Sequence, residues 1–166
     1  MSEIRNKVAE SGLLTLDMKS FKGSQKRIVI DIKKWLLNEM VLKEKMFREY
    51  LKNENWSRYE NTFVALNCSA DTIVPVWSYM LITKYLKPHA KCVVFGDEKS
   101  LERKIFEVNI DNLDLAEFKN KRVLLKGCTD IYIPDESYVQ ISNRLMGTVK
   151  SLMFGEACSN VPIFKN

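Results

Sequence analysis

Histidine is nearly absent from this 166-residue chain, and cysteine is scarce. The one histidine, His89, stands in a Pro-His-Ala turn, so no histidine cluster can build a metal site. The four cysteines, Cys68, Cys92, Cys128 and Cys158, are 24, 36 and 30 residues apart. No CxxC pair exists, and no standard zinc or ferredoxin spacing is met. GxGxxG and GKS/T phosphate loops are also missing. No apolar run approaches the ~20 residues a membrane span needs. The opening MSEIRNKVAESGLL has no cationic segment leading into an apolar stretch, so no secretory signal is expected and the cytosol is the expected compartment. In that compartment the cysteines are thiols, not disulfides.

What is present is ordinary globular composition. Apolar residues make up 46% and charged residues 28%, which excludes a disordered or collagen-like chain. The length fits one domain over 1–166, able to bury about 68–70% of its unfolded surface. The formal net charge is +5. The densest basic stretch, residues 19–34, is interrupted by the apolar run 28–32, and elsewhere acidic and basic residues alternate. A solvated surface accounts for this pattern, and neither nucleic acid nor a membrane is an expected partner.

An internal repeat organises the sequence. Shifted by 59, residues 42–97 fall on 101–156 without a gap, and 16 of the 56 pairs are identical. They include Phe47/Phe106, Asn61/Asn120, Asp71/Asp130, Pro75/Pro134, Tyr79/Tyr138, Ile82/Ile141, Phe95/Phe154 and Gly96/Gly155. Each copy reads as a short helix, near 45–52 or 101–108, followed by a strand, a polar loop, a helix and a second strand. The first strands are 63–67 and 122–126. Pro75 and Pro134 suit the first helical turn, where a missing N–H costs no hydrogen bond. The helix after Pro75 is apolar nearly all round and is expected to be largely buried. The closing strands are 91–96 and 151–155. Continuous apolar runs such as Cys92-Val93-Val94-Phe95 suit parallel strands covered on both faces. The expected class is therefore α/β: one domain of two duplicated strand–helix–strand units, pseudo-twofold, with a mostly parallel sheet. An N-terminal segment adds a strand at 27–32.

Ligands of open parallel sheets bind beyond the carboxyl ends of the strands. Cys68 and Cys128 follow the first strands of the two copies, and Cys158 follows the last expected strand. Cys92 lies inside a strand and reads as core. Three strand-end thiols suit zinc or an iron–sulfur species, with Asp71, Asp130 or Glu156 completing or orienting the site. The alternatives are separate buried thiols, or a nucleophilic Cys128 or Cys68 activated by Lys126. Asp71 and Asp130 read equally as aspartates that satisfy loop N–H groups. Tyr79, Tyr138, Trp35, Trp56 and Trp77 read as core or as a contact with a second copy.

The chain resembles an uncharacterised bacterial family, the domain of unknown function 2480. The resemblance spans essentially the whole chain. It is carried by Ser11-Gly12-Leu13, Asp31-Ile32-Lys33-Lys34-Trp35-Leu36, Cys68-Ser69-Ala70-Asp71 with Pro75, and Phe95-Gly96-Asp97. Further along it is carried by Lys126-Gly127-Cys128 and Phe154-Gly155-Glu156-Ala157-Cys158-Ser159 with Val161-Pro162. Cys68, Cys128 and Cys158 fall within these motifs, whereas Cys92 and His89 do not. The resemblance supplies no activity. It implies an association with gene neighbourhoods for iron–sulfur assembly of the sulfur-mobilisation type. The leading expectation is thus a cytosolic accessory protein that holds zinc or an iron–sulfur species on Cys68, Cys128 and Cys158, with the iron–sulfur assembly machinery as partner. A non-enzymatic interaction module with buried thiols is the second, and a thiol-dependent enzyme the third.

Overall fold

Among the residues the structure describes, seven short runs form strands, several of them rich in the β-branched and aromatic side chains that favour this conformation. They are β1 Leu13–Asp17, β2 Arg27–Asp31, β3 Phe63–Asn67, β4 Cys92–Phe95, β5 Arg122–Lys126, β6 Ser151–Glu156 and β7 Ser159–Lys165. The computed structural model describes residues 12–127 and 129–166. Among them lie four α-helices: α1 Glu44–Asn53, α2 Val76–Leu86, α3 Glu98–Asp111 and α4 Asp135–Leu145. The fold is mixed α/β with two mostly parallel sheets. The chain divides into a central unit, Ser24–Lys104, and a terminal unit made of Met1–Gly23 with Ile105–Asn166.

In the central unit the strand order is β2-β3-β4, all parallel, with Ile30 opposite Leu66 and Leu66 opposite Phe95. One face of this sheet carries Ile30, Val64 and Leu66. They pack against Phe47 and Leu51 of α1 and Ile82 and Leu86 of α2. Each such fully buried side chain contributes about 1.5–3 kcal/mol of apolar transfer. Trp35 and Trp56 fill the same core, and the Trp56 indole N–H donates to the Leu51 carbonyl at 2.7 Å, so burial leaves it no unmet donor. A half-buried ion pair between Arg27 and Glu102 ties β2 to the first turns of α3.

In the terminal unit the order is β1-β5-β6-β7. The first three are parallel, and β7 runs antiparallel to β6. Leu16, Val123, Leu125 and Leu152 meet Phe106 and Ile110 of α3 and Ile141 and Leu145 of α4. The Arg144 guanidinium donates to the carbonyls of Ile110 and Leu113, satisfying acceptors that the end of α3 leaves open.

The two copies of the repeat follow the same path. Strand, helix and strand begin at 63, 76 and 92 in one copy and at 122, 135 and 151 in the other, each pair 59 apart. Asn61 and Asn120 both adopt a left-handed backbone, φ 57° and 58°. Their N–H groups donate to the His89 and Thr148 carbonyls, both at 2.9 Å. Gly96 and Gly155 share φ values of 131° and 128°, reserved in practice for glycine.

Several expectations need correction. Helix α2 is not largely buried. Its inward stripe is Ser78, Ile82 and Leu86, spaced by four, while Val76 and Met80 on another side are 73% and 67% exposed. Trp77, Tyr79, Leu81 and Tyr85 flank that stripe, half-buried against the same core, and the uncovered arc is the one that carries Val76, Met80 and Thr83. Strand β3 is buried from Phe63 to Leu66, but β4 is only half-buried because it is an edge strand. Cys92 on β4 is accordingly half-buried and not core. Pro75 and Pro134 sit just ahead of α2 and α4 in extended conformation, so they cap the helices without entering the first turn. The strand before Cys158 is not the last: Cys158 lies in the two-residue turn between β6 and β7. Strand β1 was also unforeseen, and it lies beside β5 as β2 lies beside β3.

Candidate functional site

An apolar cleft of the central unit lies at the carboxyl end of β3. Leu66 is core, and two residues later Cys68 points to the same side of the sheet, as the alternation of a strand requires. There the chain leaves the sheet, and Cys68 borders a cleft of about 740 Å³ between α2, the loop before it and the end of β4. Tyr79, Met80 and Phe95 form its walls. The Tyr79 ring meets Phe95 edge-on, with centroids 5.0 Å apart. The rim is apolar: Phe95 is 73% exposed and Ile73 94%, beside Val76 and Met80.

The neighbouring loop is held by Asp31, the last residue of β2. Its carboxylate accepts from the Ser69 N–H at 3.1 Å, from the Ser69 hydroxyl, and from the Lys33 N–H at 2.9 Å. Burial pushes the Asp31 carboxyl up, but the Ser69 and Lys33 donors outweigh it and hold the pKa below 3.8. Burial pushes the Tyr79 hydroxyl above its ordinary value, and the nearby Cys68 and Asp31 push the same way. Lys33 is paired with Glu39 at 2.8 Å, which raises its pKa. These groups give the cleft an apolar mouth and a polar edge already engaged in its own hydrogen bonds.

The terminal unit has the corresponding place, and it is closed. Gly127 stands where the other copy has Cys68, and a Cβ there would meet the Tyr138 hydroxyl at 3.2 Å and the Phe154 ring at 3.3 Å. Tyr138 and Phe154 repeat the edge-on contact at 5.6 Å. The space beside them is about 190 Å³, and Ile163 of β7 lines it. Phe154, covered by that strand, is 37% exposed.

Two of the three thiols expected to form a site lie among the described residues. Cys68 is half-buried in the cleft, and Cys158 is exposed in the β6–β7 turn. Cys128 lies outside the described residues. Asp71 and Asp130 are exposed loop residues. The loop role expected of Asp71 is performed instead by Asp31. Glu156 pairs with Lys126 at 3.2 Å. His89 stands in its turn with Nδ1 3.1 Å from Glu60. Among the described residues no group of three His, Cys, Asp or Glu side chains could hold a metal ion.

The comparison with known proteins rests on the whole length of the chain. The sequence model of a family described as "Protein of unknown function (DUF2480)" matches residues 2–166. The chain belongs to the DUF2480 family. No curated protein matches it, and no solved structure does. No helix among the described residues of this DUF2480 chain is long and apolar enough to cross a membrane.

Sequence reasoning missed Asp31, Val76, Met80 and Phe95 as site residues. The signal for Asp31 was a strand ending in Asp ahead of Ile-Lys-Lys, a capping pattern. The signal for the cleft was in the repeat itself: Val76, which lines it, falls on Asp135, and Trp77 and Leu81, which line the neighbouring hollow, fall on Glu136 and Gln140. One helix is apolar at positions where its counterpart is polar.

Proposed function

We propose that the chain is a non-enzymatic protein-interaction module whose binding surface is the cleft between α2 and β4. The observation that carries this reading is the exposed apolar rim of Ile73, Val76, Met80 and Phe95 around a cleft of about 740 Å³. Contiguous apolar surface of this kind marks a place that another molecule covers. The paired bounds and turns of 42–97 and 101–156 support descent of both copies from one duplicated unit, of which one kept or acquired an open face. Cys68 serves the cleft as an apolar wall in this reading.

The test is a photo-crosslinking residue, p-benzoylphenylalanine, placed at Met80 or at Val139, its repeat counterpart, in the full chain in its native cell. The reading expects one defined protein adduct from position 80, none from 139, and no change when Cys68→Ala is added. No adduct from position 80 refutes it.

A second reading keeps the strand-end thiols. Cys68 directly follows β3, and Cys128 follows β5 two residues after its end, which supports zinc or an iron–sulfur species on Cys68, Cys128 and Cys158 within an assembly pathway. It expects near-stoichiometric zinc, or iron with acid-labile sulfide, in protein purified without oxygen, and a sharp loss in each Cys→Ser variant. Unchanged content in all three variants excludes it.

A further inference from the structure

The two units end differently at the same strand. In the terminal unit β6 continues through Gly155 into a hairpin, and β7 adds antiparallel to its outer edge with Val161 opposite Phe154. In the central unit β4 ends at Phe95. Gly96 then turns the chain into Asp97, whose carboxylate caps α3 by accepting the Ser100 N–H at 2.9 Å. Among the described residues no strand pairs with the outer edge of β4. In this parallel register Val93 and Phe95 turn their backbone groups away from β3, and an added strand is a common way to engage such groups.

Charge distinguishes the units as well. Ser24–Lys104 holds 15 Lys and Arg against 10 Asp and Glu, whereas the rest of the chain holds 11 of each. The whole excess of +5 therefore belongs to the central unit. Helix α2 contains no acidic residue. Glu44, Arg48 and Lys84 line a shallow hollow that shares Met80 with the cleft; Arg48 is paired with Glu44 at 2.9 Å, and Lys91 immediately precedes β4.

We infer that the outer edge of β4 accepts an antiparallel strand from an acidic partner polypeptide, with an alternate apolar side chain seated beside Tyr79, Met80 and Phe95. This rests on the interaction-module reading and specifies its partner. The terminal unit supplies the template: β7 occupies the equivalent edge, and its Ile163 lines the equivalent hollow with Tyr138 and Phe154. Backbone pairing sets orientation, the cleft selects the apolar residue, and the excess positive charge of the central unit favours acidic flanks.

The test is fluorescence polarisation with the full chain and a labelled peptide, Glu-Asp-Val-Thr-Ile-Phe-Glu, beside a scrambled peptide of the same composition. The expected result is saturable binding of the first and at least tenfold weaker binding of the second. Met80→Asp should weaken binding at least tenfold, whereas Val139→Asp, on the counterpart helix, should leave it unchanged. Raised salt should weaken it. Far-UV circular dichroism of both variants checks that they fold. Hydrogen exchange should slow at residues 91–97 on binding. Absence of saturable binding, or equal binding by Met80→Asp, overturns the inference. So does a dimer in sedimentation that Met80→Asp dissociates, because a second copy would then own the edge. A crosslink from position 80 that persists while the peptide fails refutes the strand mode and leaves the interaction-module reading standing.

Discussion

The two halves of the repeat share a backbone plan and differ in what they leave uncovered. In the terminal unit, glycine at position 127, a polar outer face on α4 and the added β7 bring Tyr138 and Phe154 into a tight, covered arrangement. In the central unit, Cys68, an apolar outer face on α2 and a β4 edge without an added strand leave the same pair of aromatics around an open cleft. The inner stripes of the two helices are alike: Ser78, Ile82 and Leu86 against Ser137, Ile141 and Leu145. The lesson is that like cores specify like folds in both copies, and the difference between them lies in residues the core does not use.

The comparison breaks most sharply by substitution across the helices. Ile82→Ala and Ile141→Ala should each lower stability by about 2–5 kcal/mol in denaturant unfolding, since both side chains are fully buried. Met80→Ala and Val139→Ala should stay within about 0.5 kcal/mol. An equal cost for Met80→Ala and Ile82→Ala would mean that the outer face of α2 is covered after all.

Exchanging the residue at the strand end tests closed against open. Gly127→Ala should cost about 1–3 kcal/mol, because its Cβ crowds Tyr138 and Phe154. Cys68→Ala removes one sulfur from the wall of an open cleft and should cost less than 1 kcal/mol, near the level of ordinary surface changes. The reverse order would remove the distinction between the two places.

Asp31 sharpens the comparison in a third way, through pH. Its folded pKa lies below the ordinary value of 3.8, so its contribution is fully present above that value. The contribution is lost as pH falls through the lower, folded pKa. Asp31→Ala should cost about 0.5–2 kcal/mol at neutral pH, the range for a lost cap. In Asp31→Asn the part of acid destabilisation below pH ~4 that belongs to this group should vanish. An unchanged acid limb in thermal melts would contradict the assignment.

The smallest effect concerns thiol access. Cys158 is exposed and Cys68 is half-buried, so site-resolved alkylation should label Cys158 faster. Filling the cleft with the acidic peptide should slow Cys68 and leave Cys158 unchanged.

Much of the fold was legible because periodicity and repetition agree. The strands Phe63–Asn67 and Arg122–Lys126 stand where continuous apolar runs placed them, and Asn61 and Asn120 mark equivalent turns. Strand β1 escaped because Leu-Leu-Thr-Leu-Asp lies outside the 59-residue repeat and gains its place by pairing with β5, more than 100 residues away in sequence. Strand β7 escaped because it lies outside the 59-residue repeat; it carries Pro162, which it tolerates as an edge strand paired on one side only, next to a bulge. The exposure of α2 escaped because composition alone cannot say how many sides of an apolar helix find neighbours. The contrast of Val76 with Asp135 was visible in the repeat and pointed to the cleft, which Val76 lines.

Hydrogen exchange of the full chain, read by mass spectrometry, tests the central contrast most directly. Residues 91–97 and 150–156 are the same stretch of the two copies, one with a free outer edge and one paired with β7. The account predicts clearly faster exchange in 91–97 than in 150–156. Equal, strong protection of both would contradict it, because the β4 edge would then be covered and no open site would remain.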